Sequence, residues 1–199
     1  MMKMSIHNPR QRGTTLLEVL IAILVLAIGL LGTAAMQTRA QQAELDAYQR
    51  SQALVLAQDM VSRISTNRRA ARCYVTTETD PDNPDPQPNY VGTGVDPDDC
   101  TGWGTIATRA RADDDLQEWA DFLRGASETL DGAEVGSMAG ARGCVHFDDV
   151  DEIYTVTVAW QGENLTQAPA GNNCAAGQYG DEARRRVVSL SLEMANLGP

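Results

Sequence analysis

Hydrophobic residues are concentrated in one long segment near the start of the chain. From Val19 to Met36 no side chain carries a charge. A helix over this segment rises about 27 Å, at roughly 1.5 Å per residue, which spans most of the hydrocarbon core of a bilayer. The pattern therefore predicts a membrane-spanning helix, with its transmembrane part at about residues 16–36.

Beyond Gln37 the apolar positions narrow to one face of the predicted helix. They recur at spacings of three and four residues, which is the period of an amphipathic helix. Four of them define that face, namely Leu54, Ala57, Val61 and Ile64. We expect one long helix over residues 14–70, and we expect its second half to pack against a globular headpiece formed by residues 71–199.

The next segments differ sharply in composition. Residues 76–105 are rich in Asp, Pro, Gly and Asn, which favour turns, so a long surface loop is predicted there. Residues 113–115 are three consecutive aspartates, and negative charge favours the start of a helix. We therefore expect a second helix from this point, whose apolar face consists of Leu116, Trp119, Ala120, Leu123 and Leu130.

Three later segments have the patterns of strands. Residues 153–160 and 187–194 alternate between apolar and polar positions, as half-buried antiparallel strands do. Residues 144–147 precede the first of them and are expected to pair with it across the turn Asp-Asp-Val-Asp-Glu. The run Arg184 to Arg186 is interpreted as a charged surface at the edge of the sheet. Together the elements predict an α+β fold, shaped like a ladle, with a small antiparallel sheet.

Charge gives the chain an orientation and excludes some functions. The chain has 199 residues, 43% of them hydrophobic, and a formal net charge of -11, which argues against a general nucleic-acid-binding protein. Lys3, Arg10 and Arg12 precede the apolar segment, and the positive-inside rule keeps this basic end in the cytoplasm. The remainder would cross the membrane and form a periplasmic domain.

Glu18 is the one acidic residue at the start of the apolar segment. An unpaired charge at membrane depth costs about 2.5 to 3.5 kcal/mol on insertion scales, so an ionisable residue there indicates a function and a partner. The carboxylate therefore calls for a cationic group in the assembled state.

The order of residues around Glu18 resembles the class III signal of type IV prepilins and pseudopilins. A basic leader ends at Gly13, and two small polar residues, two leucines, Glu18 and the apolar run follow. The resemblance implies that prepilin peptidase removes residues 1–13 by cutting between Gly13 and Thr14, and then methylates the amine of Thr14. That amine could pair with Glu18 in the same helix or in a neighbouring subunit.

Two longer stretches resemble one subgroup of this family. LLEVLIAILVLAIGLLGTAAMQ and QALVLAQDMVSRISTNRRAARCY are similar to PilV-type minor pilins of type IVa pili. This implies a structural protein, without enzymatic activity or cofactor, that takes part in priming pilus assembly and sits in or near the pilus tip, supporting twitching motility and adhesion.

The same resemblance implies partners and a location. The partners would be prepilin peptidase, other minor pilins, the major pilin and a tip adhesin. The chain would lie in the inner membrane before assembly and in the extracellular pilus fibre afterwards. The alternative is a minor pseudopilin of a type II secretion system, which has the same membrane chemistry.

The cysteines at 73, 100, 144 and 174 all fall in the part predicted outside the cytoplasm, where two disulfides can form. Three pairings are possible. In the predicted hairpin, Cys144 lies at the end from which the chain leaves toward Cys174, so that pair is geometrically short. Cys73 and Cys100 would then form the second disulfide.

Other chemistry has little support in the sequence. The two histidines are His7, in the predicted leader, and His146, in a predicted strand, so no catalytic triad is indicated. The cysteines lack the close pairs of a zinc site. Calcium in the Asp-rich loop is the remaining metal alternative, but the loop counted from Asp80 does not fit the EF-hand pattern. No catalytic residue and no metal ligand is predicted.

Overall fold

The computed structural model describes residues 15–76, 89–125, 129–130, 133–134 and 138–194. The helices and strands in chain order are α1 (Leu16–Thr66), a 3-10 helix (Arg68–Tyr74), β1 (Val91–Gly92), α2 (Ile106–Arg124), β2 (Thr129–Leu130), β3 (Ala133–Glu134), β4 (Arg142–Asp148), β5 (Ile153–Gln161), a short 3-10 helix (Glu182–Arg184) and β6 (Arg185–Glu193). The chain divides into two compact units between Leu45 and Asp46, within α1. The predicted α+β class is confirmed.

The four-stranded sheet is antiparallel, with the strand order β1-β4-β5-β6. The predicted hairpin forms between β4 and β5, where Cys144 stands opposite Thr157. Its turn is closed by the carboxylate of Asp148, which accepts hydrogen bonds from the backbone N–H groups of Val150 at 2.9 Å and Asp151 at 3.2 Å. These bonds lower the pKa of Asp148 below the ordinary aspartate value.

The second helix begins earlier than predicted. α2 starts at Ile106, and Thr105 forms a capping box with Thr108, so residues 113–115 lie in the middle of the helix. The expected start was wrong because the capping signal lies upstream of the aspartates. The helix ends at Gly125, whose φ of 85° suits a left-handed cap, and Leu130 belongs to β2 instead of the helix.

The predicted loop over residues 76–105 also contains regular structure. Val91 and Gly92 form β1 and pair with β4, and Val91 is buried. The apolar residues Tyr90 and Val91 bring this part of the loop back to the sheet. The strand was not predicted because the residues around this pair are mostly polar. Residues 77–88, which contain much of the Asp-rich stretch, lie outside the described residues.

The buried face of α1 overlaps the predicted one, with which it shares Ala57 and Ile64. Its fully buried residues are Ala53, Ala57, Met60 and Ile64. Leu54 was assigned to this face incorrectly, since it is 38% exposed. The predicted series and the buried series both have helical spacing. The small residues Ala53 and Ala57 lie on the side where the helix packs against the core. Trp119 of α2 is buried as predicted and donates a hydrogen bond from Nε1 to the carbonyl oxygen of Leu56, at 3.0 Å.

Trp119 also fixes the position of β4 over α2. A Cβ atom at Gly143 would overlap the ring carbons of Trp119 and would lie 2.8 Å from Cδ1 of Leu123. The absence of a side chain at Gly143 therefore allows the strand to pack directly on the indole ring.

Replacing Gly143 by alanine should destabilise the protein by about 1 to 3 kcal/mol, because the new methyl group overpacks the core. Thermal unfolding of the full chain in detergent measures the change. Gly102→Ala is the matched control, since a Cβ at Gly102 meets no atom within 4 Å. Equal melting temperatures for the two variants would contradict this account of the packing.

Candidate functional site

Thr15 stabilises the start of α1. The backbone N–H of Glu18 lies 3.0 Å from the carbonyl oxygen and 3.4 Å from the hydroxyl oxygen of Thr15. The backbone N–H of Val19 is also directed to the Thr15 carbonyl oxygen, at 3.3 Å. Threonine followed three residues later by glutamate has the spacing of a capping box. The sequence contains this signal, but the hydrophobic pattern that predicted the helix does not reveal it.

Glu18 lies in the first turn of α1, where its negative charge is favourable for the helix dipole. Its side chain is exposed, and it has no hydrogen-bond or ion-pair partner among the residues that the structure describes. Gly13 and Thr14 lie outside the described residues. The pairing of Glu18 with the amine of Thr14 therefore stays a prediction.

The apolar first part of α1 is not covered by any part of the chain that the structure describes. Leucines along it are mostly solvent-accessible, for example Leu26 at 64% and Leu31 at 71%. Two hydroxyl groups are satisfied inside the helix, since Thr33 donates to the carbonyl oxygen of Leu30 at 2.9 Å and Thr38 to that of Ala34 at 3.2 Å. By length and composition α1 can cross a membrane. None of the apolar stretch that makes it long and hydrophobic enough is buried.

Arg63 anchors the other part of α1 to α2. Its guanidinium group contacts the carboxylates of Asp59 at 2.7 Å, Asp115 at 3.0 Å and Glu118 at 2.6 Å. Burial alone would lower the pKa of Arg63, but the hydrogen bonds to Glu118 and Asp59 raise it above the ordinary arginine value. The cation therefore remains charged and holds three acids of two helices together.

A buried hydrogen-bond network continues from Asp115. Tyr74 donates its hydroxyl to Asp115 at 2.6 Å and accepts a hydrogen bond from the side-chain amide of Asn67 at 3.1 Å. Burial and the bond to Asp115 raise the pKa of Tyr74 above the ordinary tyrosine value. Asn67 also donates to the carbonyl oxygen of Thr108, at 2.8 Å. These residues join the end of α1, the following 3-10 helix and α2.

The structure contains two disulfides. Cys73 is bonded to Cys100 and Cys144 to Cys174, with Cα–Cα distances of 5.3 Å and 5.8 Å. These are the pairs expected from the hairpin geometry. The first closes the loop that follows α1, and the second ties β4 to the segment between β5 and β6.

No cluster of three or more metal-ligating side chains exists in the part of the chain that the structure describes. His146 lies on β4 with its side chain exposed. The prominent polar groups of this part serve as helix caps, ion pairs and turn contacts.

Two families match the sequence. The prokaryotic N-terminal methylation motif matches residues 8–34, and the type IV pilin Tt1218 family matches residues 35–101. The first range contains the last six residues of the predicted leader, Glu18 and most of the apolar segment, and the second ends just after Cys100. Together the two matches support the assignment of the chain to the type IV prepilin family. Searches of curated proteins and of solved structures gave no significant match.

The two matches support a broad role for the chain as a type IV pilin. Type IV pilins are structural proteins, not enzymes, and they form the type IV pilus. The methylation motif implies processing by prepilin peptidase and assembly with other pilins. The apolar helix fits anchoring in the inner membrane before assembly and a location in the pilus fibre afterwards.

Non-reduced peptide mapping of the periplasmic pilin should link Cys73 with Cys100 and Cys144 with Cys174. Replacing both Cys144 and Cys174 by alanine should lower the stability by about 3 to 4 kcal/mol, because the disulfide restricts the unfolded chain. Thermal unfolding with and without reductant measures this loss. A peptide that links Cys73 with Cys144 or with Cys174 would contradict the placement of the hairpin.

Proposed function

We propose that this pilin is a PilV-like minor pilin that takes part in priming pilus assembly and sits in or near the pilus tip. The observation that carries the proposal is the exposed carboxylate of Glu18, which has no partner among the described residues and lies at the start of a helix that lacks charge as far as Met36. The two stretches similar to PilV-type minor pilins support the narrower assignment. The role in twitching motility and adhesion, and contacts with other minor pilins, the major pilin and a tip adhesin, belong to the same proposal.

Maturation would create the partner of Glu18. Cleavage between Gly13 and Thr14 removes residues 1–13 with their positive charges and leaves a new cationic amine at Thr14. Methylation at this amine keeps its positive charge. The membrane segment would then begin with a cation and an acid four residues apart.

That charge pair can set the position of one subunit against the next. A carboxylate and an amine in an apolar bundle attract strongly when they meet and are costly when separated. If the amine of one subunit pairs with Glu18 of its neighbour, the two helices are held at a fixed axial offset. The uncharged residues after Glu18 carry no charged group, so they do not favour one axial offset between the helices over another.

The processing step predicts a mature chain that begins at N-methylated Thr14. Intact-mass measurement and N-terminal sequencing of the membrane-bound protein test this directly. A Gly13 substitution such as Gly13→Val should leave the leader attached, whereas Gly32→Val, which alters a glycine beyond the cleavage site, should be processed. A mature chain that starts at Met1, or that is cut beyond Met36, would refute the assignment of the leader.

Glu18→Ala should insert into the membrane at least as well as the natural chain, because it removes an acid that costs about 2.5 to 3.5 kcal/mol at depth. It should nevertheless fail to restore normal piliation in a strain that lacks this gene. Glu44→Ala is the matched control, since Glu44 is an exposed acid on the same helix beyond the apolar segment. Pilus number and the amount of each variant in sheared pili provide the measurement.

The strain that lacks this gene, with and without the natural chain restored, also tests the minor-pilin role. The natural chain should be present in sheared pili at far lower abundance than the major pilin, and its loss should reduce the number of pili. Normal piliation together with normal recovery of Glu18→Ala in pili would refute the pairing mechanism. Absence of the natural chain from pili would refute the proposed function itself.

A further inference from the structure

β6 is an unprotected edge of the four-stranded sheet. All nine of its residues, Arg185–Glu193, stand in continuous antiparallel register with β5. On its other side the backbone of residues 186–193 makes no hydrogen bond with any described part of the chain. An edge of this kind presents a row of free N–H and C=O groups that another strand can bind.

Between Val187 and Leu192 the sequence of β6 lacks the usual protection of an edge strand. This part contains no proline and no charged residue, and the register of β6 with β5 has no bulge. Val188 is largely buried, whereas Leu190 and Leu192 on the same face are half-buried at the border of the core. An added strand would therefore cover apolar side chains as well as backbone groups.

A cationic cleft adjoins the beginning of β6. It has a volume of about 210 Å³ and is lined by Asp46, Ala47, Arg50, Trp160, Arg186 and Val187. Arg186 is held by the carbonyl oxygens of Ala183 at 3.0 Å and Asn164 at 2.6 Å. Arg50 is exposed and has no hydrogen-bond or ion-pair partner among the described residues. The cleft thus has two arginines against the single carboxylate of Asp46.

We propose that the edge of β6 binds an extended segment of a different pilin subunit, which adds a fifth strand to the sheet and places a carboxylate in the cleft beside Arg50. The segment would carry apolar residues at alternate positions, so that they lie next to Leu190 and Leu192. The backbone edge supplies affinity, and the side chains and the cleft supply selectivity. This inference rests on the proposed function, because it requires that the chain assembles with other pilins.

A second copy of β6 does not fit this surface. When two β6 strands pair about a two-fold axis, residues that stand opposite each other lie on the same face of the sheet. Arg186 shares its face with Val188, Leu190 and Leu192, whereas the acidic Glu193 lies on the other face. A second β6 would therefore bring apolar residues, and no carboxylate, to the cations. The charge pattern favours a different subunit with an acid at this position.

Photochemical cross-linking in the native host tests the proposal with the full chain. A benzophenone amino acid at Ser191, which is exposed on the edge strand, should form an adduct with a single extended segment of another pilin subunit, identified by peptide mass spectrometry. The same probe at Val150, in the β4–β5 turn and 85% exposed, should yield that adduct at least about tenfold less, because strand addition needs an edge.

Two substitutions test the chemistry of the surface. Arg50→Glu should reduce the Ser191 adduct about tenfold or more, because it turns attraction for a carboxylate into repulsion. Arg68→Glu makes the same charge change at another exposed arginine and should leave the adduct unchanged. Ser191→Lys should reduce recovery in pili, whereas Val150→Lys should not, and the amount and disulfide pairing of each variant show that its headpiece is folded.

The outcomes separate this inference from the proposed function. If the natural chain is present in pili but the probe at Ser191 yields no subunit adduct, or yields a second copy of this chain, the inference is wrong and the function stands. Equal effects of Arg50→Glu and Arg68→Glu would also refute it. Absence of the natural chain from pili would overturn both.

Discussion

The uncovered apolar surface of α1 is the constraint on which the other features depend. Burying one leucine side chain is worth about 1.5 to 3 kcal/mol, and the first part of this helix exposes many of them. Such a segment is stable only in lipid or among other apolar helices. Its backbone groups bond within the helix, and Thr33 and Thr38 satisfy their hydroxyls on backbone carbonyls of the preceding turn. Glu18 is therefore the exception that requires a chemical explanation.

The headpiece has a different source of stability. Its long polar loop and few aromatic residues limit the apolar area available to its core, so covalent and polar links carry a larger share. Arg63 connects carboxylates of α1 and α2, and the bond from Tyr74 to Asp115 completes the buried network. The two disulfides tie the loop after α1 and the segment between β5 and β6 to the rest of the headpiece. All of these links lie in the part of the chain suited to an oxidising compartment.

Patterns that repeat over several residues predicted the fold best. The alternation in β5 and β6 and the short turn before β5 predicted the antiparallel hairpin, and the hairpin in turn restricted the choice of disulfides. The start of α2 was misplaced because three aspartates resemble a helix start, whereas Thr105 caps the chain further upstream. Leu54 was misplaced because two overlapping series on α1 have helical spacing, and only tertiary packing selects between them.

The two candidate assembly surfaces also differ in how far the sequence predicts them. Glu18 stands out in sequence because it is an isolated charge beside an apolar run, and this contrast needs no tertiary information. The cleft beside β6 could not be predicted, because it combines residues of α1, β5 and β6 that are far apart in the chain. The run Arg184 to Arg186 was interpreted as a surface run at an edge, and β6 is indeed an edge strand. Arg185, however, is buried and bonded to Glu182, while Arg186 lines the cleft.

Under the proposed function, these two surfaces make different contributions to assembly. A charge pair between Glu18 and an N-terminal amine depends on groups that any prepilin with the same motif would offer, so it sets axial position without choosing the neighbour. Selection of a neighbour requires groups that differ among subunits. Strand addition meets this requirement, because backbone bonding is common to all extended segments but side-chain alternation and the carboxylate beside Arg50 are not. Register and specificity are thereby assigned to separate regions, one in the apolar helix and one in the headpiece.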